Sequence, residues 1–307
     1  MTKNPMRTVF MGSPAFAIPV LRNLVAGYQV VGSVTQPDRP AGRGRVLTAP
    51  PIKILADELL IPVIQPRRLS EPEALEQLQD WAPELIVVAA FGQILRPVVL
   101  DLPKYGCVNV HASLLPRWRG AAPIQAAILN GDETTGISIM RMDPGIDTGP
   151  VLSQKSIPIS HNDTSATLAN KLSELGAELL MESLAAYLSG TLRPIPQNES
   201  NATYAPMIKK EEGLLDFSMP ASQLDWKVRA FNPWPGAFTL WNDQMLKIHQ
   251  AHSIDLAAEP AGRKMIYQEL PAITTSRGIL VLDELQLAGK NIQTGKSFLN
   301  GIRNWAG

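Results

Sequence analysis

The stretch Tyr105-Gly106-Cys107-Val108-Asn109-Val110-His111 decides the fold, because it has the composition of a buried strand and ends in polar side chains. Alternate residues of a strand point to the same face, so Asn109 and His111 should project together. The chain leaves this strand through Ser113-Leu114-Leu115-Pro116 and Arg119-Gly120-Ala121-Ala122-Pro123. Ligands of open α/β sheets bind at strand ends, so this point is a candidate site.

Short β-branched runs alternate with helical segments along the first 190 residues. This pattern predicts an α/β domain at residues 1–190, with a mostly parallel, Rossmann-like sheet and crossover helices. We expect strands at 8–11, 30–35, 62–64, 85–90, 107–111 and 137–142. Helices are expected at 14–25, 52–60, 72–81, 124–129 and 165–188, and the last of these has a one-face leucine spacing typical of core packing.

A second, smaller domain is predicted after a stretch rich in proline and polar residues at 191–208, which we interpret as a linker. Residues 209–307 begin with an expected helix at 221–231. Two predicted hairpins follow, 238–241 with 246–249 and 272–275 with 279–282. The second domain should therefore be β-rich.

Composition excludes several classes of protein. The 28 basic and 28 acidic residues give a net charge of zero, so contact with nucleic acid would need a local patch. The single cysteine, Cys107, excludes an internal disulfide and a multi-cysteine zinc site. No apolar run is long enough to span a bilayer and the first residues do not resemble a signal peptide, so we expect a cytoplasmic protein without a membrane partner.

The chemistry predicted at the strand end combines Asn109 and His111 with Asp147, which lies in Gly145-Ile146-Asp147-Thr148-Gly149. An amide and a protonated imidazole can stabilise an oxyanion, and a carboxylate beside the imidazole keeps it charged, so the set suits acyl transfer without a metal. The alternative is that Asn109 caps a turn and His111 is a satisfied core histidine. From the residues alone, that alternative is favoured.

Three motifs resemble the formyltransferase-fold enzymes that use 10-formyltetrahydrofolate: Asn109-Val110-His111, Ser113-Leu114-Leu115-Pro116 and Asp147-Thr148-Gly149. Within that group, the segments at 37–45, 117–125 and 232–236 resemble the methionyl-tRNA formyltransferase family. The match runs from about residue 8 to residue 290. The resemblance implies a formyltransferase catalytic domain followed by an OB-like β-barrel domain that binds tRNA.

The reaction that the resemblance implies is transfer of the formyl group of 10-formyltetrahydrofolate to the α-amine of methionine on initiator methionyl-tRNA. The product, N-formylmethionyl-tRNA, serves translation initiation. Asn109 and His111 would polarise the formyl oxygen, while Asp147 would keep His111 protonated and help to move the proton off the amine. We expect a monomer that uses no metal.

The folate is expected at the carboxyl end of the sheet, with its ring between the segment 91–95 and the loop 143–146. Glycines in both places allow close backbone approach, although ordinary turns would use the same residues. The residues that the resemblance assigns to folate are Phe91, Gly92, Ile94, Leu95, Ser113, Leu114, Leu115, Pro116, Asp143, Gly145 and Ile146.

The tRNA is expected to contact the basic loop at 36–50. Its candidate residues are Arg39, Arg43 and Arg45, with Lys209 and Lys210 in the second domain. Arginine can pair with phosphates or stack on an unpaired base. A solvated basic loop is the usual interpretation of three arginines, and only the resemblance reverses it. A departure from the family pattern is Met207, which stands where a lysine is common.

Other functions remain open from the sequence. A formyltransferase that acts on glycinamide ribonucleotide or an amino sugar nucleotide, or a folate hydrolase, would share the catalytic residues but need neither the arginine loop nor the second domain. A dehydrogenase-like module is disfavoured because Gly12-Ser13-Pro14 follows the first strand in place of a Gly-x-Gly-x-x-Gly turn. A catalytically silent RNA-binding protein would bind without turnover.

Overall fold

A computed structural model describes residues 4–41, 44, 46–256, 260–302 and 304–306. The chain divides into two compact units. The first contains residues 1–123, 135–157 and 169–205, and the second contains 124–134, 158–168 and 206–307. The domain limits at 190 and 208 stay a prediction. In the part of the chain that the structure describes, no helix is long and apolar enough to cross a membrane.

The first ten strands, numbered in chain order, belong mainly to the first unit. They are β1 (Asn4–Gly12), β2 (Tyr28–Val34), β3 (Arg39–Ala41), β4 (Val46–Thr48), β5 (Val63–Ile64), β6 (Leu85–Ala89), β7 (Cys107–His111), β8 (Arg119–Gly120), β9 (Thr134–Arg141) and β10 (Val151–Pro158). Among the described residues, seven of them form one sheet in the order β10-β9-β7-β6-β1-β2-β5.

The pairing of this sheet confirms the α/β prediction. Strands β1 and β2, β1 and β6, β2 and β5, and β6 and β7 pair in parallel, whereas β7 and β9 pair antiparallel. Parallel strands are buried on both faces, which explains their nearly continuous apolar sequences. On one face, Val9 and Met11 of β1 pack with Ile86 and Val88 of β6.

Six α-helices are described between residues 18 and 188. They are α1 (Ile18–Gly27), α2 (Pro51–Glu58), α3 (Pro72–Asp80), α4 (Pro97–Leu100), α5 (Pro123–Leu129) and α6 (Ser165–Leu188). In α6, a Cβ added at Gly176 would lie 2.8 Å from Cγ1 of Val110, so this glycine lets the helix pack directly on β7. Because strand residues alternate, Asn109 and His111 point away from that helix.

A two-stranded parallel sheet joins β8 to β11 (Tyr204–Ala205), pairing Arg119 with Tyr204 and Gly120 with Ala205. Two-residue strands carry no periodicity, so the sequence did not predict this pairing. The structure therefore brings the end of the 191–208 segment against the turn that follows β7. A 3₁₀ helix at Glu199–Asn201 precedes β11.

The second unit contains an antiparallel sheet, as predicted. Its strands are β12 (Ala237–Trp241), β13 (Gln244–Ile254), β14 (Lys264–Tyr267), β15 (Leu270–Thr274), β16 (Ile279–Leu287) and β17 (Gln293–Thr294). The described residues form the order β12-β13-β16-β15-β14, with β17 on β16. Both predicted hairpins are confirmed, β12 with β13 and β15 with β16. Helices α7 (Ala221–Ala230) and α8 (Gly295–Gly301) contribute Leu224, Val228 and Phe298 to its core.

Candidate active site

Asn109 and His111 lie at the end of β7, where both side chains are nearly buried. Their relative exposures are 8% and 6%. Strand β9 holds the backbone of both residues, because Asn109 pairs with Met140 and His111 with Ser138. Asn109 and His111 therefore share one face of β7, as the alternation of strand residues predicted. This strand has a neighbour on each side in the sheet.

The imidazole of His111 faces an acceptor at each ring nitrogen. Its Nε2 lies 3.0 Å from the carbonyl oxygen of Trp118, and its Nδ1 lies 3.6 Å from Oδ2 of Asp147. A carbonyl oxygen can only accept, so Nε2 carries a hydrogen in this contact. The Asp147 carboxylate lies beside the other ring nitrogen, at a distance too long for a hydrogen bond.

The carboxylate of Asp147 is aimed by its loop and by a backbone donor. Gly120 donates its N–H to Oδ2 of Asp147 at 2.9 Å. Asp147 itself has a φ of +53°, a left-handed conformation that costs free energy unless its surroundings hold it. Asp143 closes the loop by accepting at Oδ1 from Gly145 N–H at 3.1 Å and from Thr148 Oγ1 at 2.6 Å.

The side-chain amide of Asn109 makes no hydrogen bond to any residue in the described ranges. An almost buried amide normally has a partner, so its donor is available to a ligand. The structure thus brings His111 and Asp147 together directly and places Asn109 on the same strand face. These are the three residues that the sequence predicted as catalytic.

The turn after β7 supplies the Trp118 carbonyl that contacts His111 and the Gly120 N–H that contacts Asp147. Residues near 203 hold this turn in place. Trp118 has a φ of +62°, and its N–H donates to Oγ1 of Thr203 at 2.9 Å. Arg119 donates its N–H to the Thr203 carbonyl at 2.9 Å. Gly120 has a φ of +116°, and an added Cβ would lie 2.6 Å from the Ala205 carbonyl oxygen. Only glycine fits there.

Arg119 is the largest fully buried side chain in the described part of the protein. Its guanidinium donates to Oε1 of Gln197 from Nε at 3.0 Å and from Nη2 at 2.9 Å. It also donates to the Glu199 carboxylate, from Nη1 at 2.8 Å and from Nη2 at 2.7 Å. The hydrogen bond from Arg119 lowers the pKa of Glu199, despite the opposing effect of desolvation.

Sequence reasoning assigned no role to Arg119, Gln197 or Glu199. Arg119 and Gln197 are separated by 78 residues, and no local pattern links such distant positions. The signal that the sequence offered was the position of Arg119 in the strand exit at 119–123 and in the family motif at 117–125, neither of which indicates its partners.

Two cavities border the segments predicted to bind folate. One, of about 220 Å³, is lined by Arg68, Leu69, Ser70, Gln93, Ile94, Arg96, Val98 and Val99. The other, of about 270 Å³, is lined by Pro97, Leu100, Asp101, Arg141, Met142, Asp143, Pro144 and Pro150. Ile94 and Ile146 are 69% and 57% exposed, so both offer apolar surface to a ligand.

Some of the other predicted folate residues are buried, and the rest are partly or mostly exposed. Phe91 and Leu95 belong to the core, each with 2% exposure. Ser113 is fully buried and donates from Oγ to the Arg117 carbonyl at 2.6 Å. Leu115 is also buried. Gly92, Leu114, Pro116, Asp143 and Gly145 have partial or full exposure.

The predicted tRNA residues are only partly within the described chain. Arg43 and Arg45 lie outside the described residues. Arg39 is exposed in β3 and donates to the Gln36 side chain at 3.0 Å. Lys209 and Lys210 are both exposed, beside Glu211 and Glu212.

Comparison with known proteins identifies the family. A model described as formyl transferase matches residues 6–184, and one described as formyl transferase, C-terminal domain, matches residues 207–303. The methionyl-tRNA formyltransferase of Myxococcus xanthus (strain DK1622) is 48% identical, over 96% of this chain and 95% of that protein. This chain belongs to the methionyl-tRNA formyltransferase family. The methionyl-tRNA formyltransferase of Bacillus velezensis is 45% identical, over 96% of this chain and 94% of that protein.

A solved structure also has the formyltransferase fold. It is WlaRD, a sugar 3N-formyl transferase, in the presence of dTdp and 5-N-formyl-THF. The TM-score is 0.68 at 17% identity, covering 94% of this chain and 100% of that one. At this identity the likeness concerns the fold alone, and it agrees with the predicted fold class.

The ion pair between Arg119 and Glu199 predicts a pH-dependent stability. Because the folded-state pKa of Glu199 is lowered, its stabilisation is complete above the ordinary value of 4.5. It disappears as the pH falls through the lower folded-state value. Glu199→Gln should therefore have a smaller free energy of unfolding at pH 7, and the difference from wild type should vanish in acid.

Denaturant unfolding at several pH values checks this prediction, with Glu182→Gln as the control because Glu182 is an exposed glutamate of α6. A Glu199→Gln deficit that stayed constant down to the acid limit would contradict it.

Proposed function

We propose that this protein transfers the formyl group of 10-formyltetrahydrofolate to the α-amine of methionine on initiator methionyl-tRNA, giving N-formylmethionyl-tRNA. The observation that carries the proposal is the position of His111, which lies between the Trp118 carbonyl and the Asp147 carboxylate. Asn109 lies on the same strand face, and its amide has no hydrogen-bond partner among the described residues. Membership of the methionyl-tRNA formyltransferase family supports the identity of the acceptor.

The chemical step needs stabilisation of a negative oxygen. The methionine amine attacks the formyl carbon, and the formyl oxygen becomes an oxyanion that Asn109 and His111 stabilise through N–H donors. The Trp118 carbonyl engages Nε2 of His111. Nδ1 of His111 is too far from Asp147 for a hydrogen bond, so we assign Nδ1 as the donor to the formyl oxygen. These two donors provide the electrophilic assistance that a metal would otherwise supply.

Collapse of the tetrahedral intermediate completes the transfer. The bond between the formyl carbon and N10 of the folate breaks, and N10 gains a proton as tetrahydrofolate leaves. The attacking nitrogen loses one proton, which Asp147 helps to move. The number of protons is therefore conserved, and the negative charge of Asp147 supports the imidazolium while the oxyanion forms.

The proposed folate position follows the sheet end between 91–95 and 143–146. The exposed side chains of Ile94 and Ile146 offer apolar surface to the folate ring. The buried side chains of Phe91, Leu95 and Ser113 hold the neighbouring backbone in place. The sugar formyltransferase WlaRD, solved in the presence of 5-N-formyl-THF, supports a folate-derived donor for this fold.

The residues proposed to contact tRNA are Arg39, Arg43 and Arg45 of the basic loop and, in the second unit, Lys209 and Lys210. Asp38 is the acidic neighbour of Arg39, but Lys53 pairs with it at 3.0 Å and Gln65 donates to it at 2.7 Å. The Gln65 and Lys53 contacts lower the pKa of Asp38, so it stays ionised and paired within its own site. Asp38 is thus engaged by other residues, and the exposed guanidinium of Arg39, which donates to Gln36 from Nη2, faces solvent where it can meet a phosphate or a base.

We further propose catalytic residues 1–190, a connecting segment 191–208 and a tRNA-binding domain 209–307. The connecting segment also contributes to the site through Gln197, Glu199 and Thr203. The protein should act as a monomer, because one chain supplies the catalytic residues and their supports.

The catalytic roles predict the effect of three substitutions. Asn109→Ala and His111→Ala should each lower kcat by about 10²–10³-fold, the usual cost of losing an oxyanion donor. Asp147→Asn should lower kcat and shift the pH dependence of turnover, because it removes the charge beside the imidazolium. The assay follows formyl-methionine formation from 10-formyltetrahydrofolate and charged initiator methionyl-tRNA.

Free methionine, glycinamide ribonucleotide and an amino sugar nucleotide serve as rival acceptors in the same assay, and elongator methionyl-tRNA tests the choice of tRNA. Transfer to a small amine, release of formate, or tRNA binding without turnover would refute the proposed function. If Asp147→Asn keeps the turnover and pH dependence of wild type, Asp147 has a structural role only.

The basic loop predicts a salt-dependent defect in tRNA use. Arg39→Ala should raise the KM for methionyl-tRNA and reduce the dependence of binding on salt, because a phosphate contact is lost. The KM for folate should stay unchanged. Lys104→Ala, which removes a lysine that lies over the Tyr105 ring, is the matched control. Equal damage to folate and tRNA use by Arg39→Ala would exclude this role.

A further inference from the structure

We propose that Gln197, oriented by Arg119, is a positioning residue that holds the Asp147 carboxylate against His111. This inference rests on the proposed roles of His111 and Asp147. It assigns a function in catalysis to a segment that the sequence suggested only as a connection between domains.

Gln197 fastens the loop that carries Asp147. Its Nε2 donates to the Asp147 carbonyl at 2.8 Å and to the Gly149 carbonyl at 2.7 Å. Both amide hydrogens are therefore used on this one loop. The two carbonyls flank Thr148, so the amide fixes the backbone on both sides of the turn.

Arg119 determines which end of the Gln197 amide faces the loop. Two guanidinium N–H groups donate to Oε1 of Gln197, and an amide nitrogen could not accept them. The oxygen must point to Arg119, which turns the NH₂ group toward Asp147 and Gly149. Glu199 neutralises the guanidinium from its other side at 2.7 Å.

The same arginine is central to the contacts of His111. Its chain neighbours are Trp118, which accepts from Nε2 of His111, and Gly120, which donates to Oδ2 of Asp147. One buried side chain thus connects the backbone that anchors the imidazole with the amide that fixes the carboxylate loop. Both members of the His111–Asp147 pair depend on this arrangement.

The geometry leaves little tolerance for movement. Asp147 adopts a left-handed backbone conformation with a φ of +53°, which persists only where neighbouring contacts hold it. Its Oδ2 lies 3.6 Å from Nδ1 of His111. A displacement of about 1 Å at a catalytic group can cost about 100-fold in rate. Loss of the Gln197 donor should release this loop.

Two substitutions at Gln197 separate the contact to Arg119 from the contact to the loop. Gln197→Glu keeps an oxygen for Arg119 but presents a second oxygen, without a hydrogen, to the two carbonyls. Gln197→Met has a similar length and loses both contacts. Tyr187→Phe is the control, because it removes one side-chain hydrogen bond, from Tyr187 to the Tyr105 carbonyl, in the same unit.

We expect both Gln197 variants to lower kcat for methionyl-tRNA formylation by about 10–100-fold. The KM for methionyl-tRNA should stay unchanged, since Gln197 touches none of the residues proposed to contact tRNA. The KM for folate should rise, because the loop held by Gln197 also carries the proposed folate residues Asp143, Gly145 and Ile146. The pH–rate profile should differ from that of wild type, because the Asp147 charge no longer has a fixed position beside the imidazole. Tyr187→Phe should leave the profile in place.

Thermal unfolding of every variant accompanies the kinetics. If the Gln197 variants keep wild-type kcat and pH profile, or lose activity only in proportion to unfolded protein, the inference is wrong. His111→Ala in the same assay separates the two proposals. An inactive His111→Ala beside fully active Gln197 variants overturns this inference alone, whereas an active His111→Ala overturns both.

Discussion

The buried guanidinium of Arg119 is the constraint on which the rest of the site depends. A buried charge is tolerated only when it is paired and its hydrogen-bond donors are satisfied. In this protein the partners are Gln197 and Glu199, 78 and 80 residues further along the chain. The turn after β7 therefore keeps its conformation only while the chain around 197–205 lies against it.

This dependence links the fold to the chemistry. The turn provides the Trp118 carbonyl to one nitrogen of His111 and the Gly120 N–H to the carboxylate that faces the other nitrogen. Strand β7 supplies His111 and Asn109 from a rigid position in the sheet, whereas Asp147 comes from a loop. In the proposed mechanism, the rigid strand gives the fixed donors that oxyanion stabilisation requires, and the clamped loop holds the Asp147 carboxylate beside His111.

The sequence was sufficient for features that depend on local periodicity. The alternation in β7 predicted the shared face of Asn109 and His111, and the leucine spacing predicted α6 at its observed limits. The sequence did not predict the pairing of β8 with β11, because two-residue strands show no periodicity. It did not predict the contacts of Gln197 either, because these contacts join distant positions through side-chain geometry. Residue types suggested acyl transfer, but without the family resemblance a core histidine was the favoured alternative.

Gln197 is proposed to affect catalysis through Asp147, and a double-mutant cycle tests this link most directly. The cycle compares kcat of wild type, Gln197→Met, Asp147→Asn and the double variant in methionyl-tRNA formylation. We expect the double variant to be no slower than Asp147→Asn alone, because the loop no longer carries a carboxylate to be positioned. Two effects that simply multiply would mean that Gln197 acts independently of Asp147, and would contradict the proposed link.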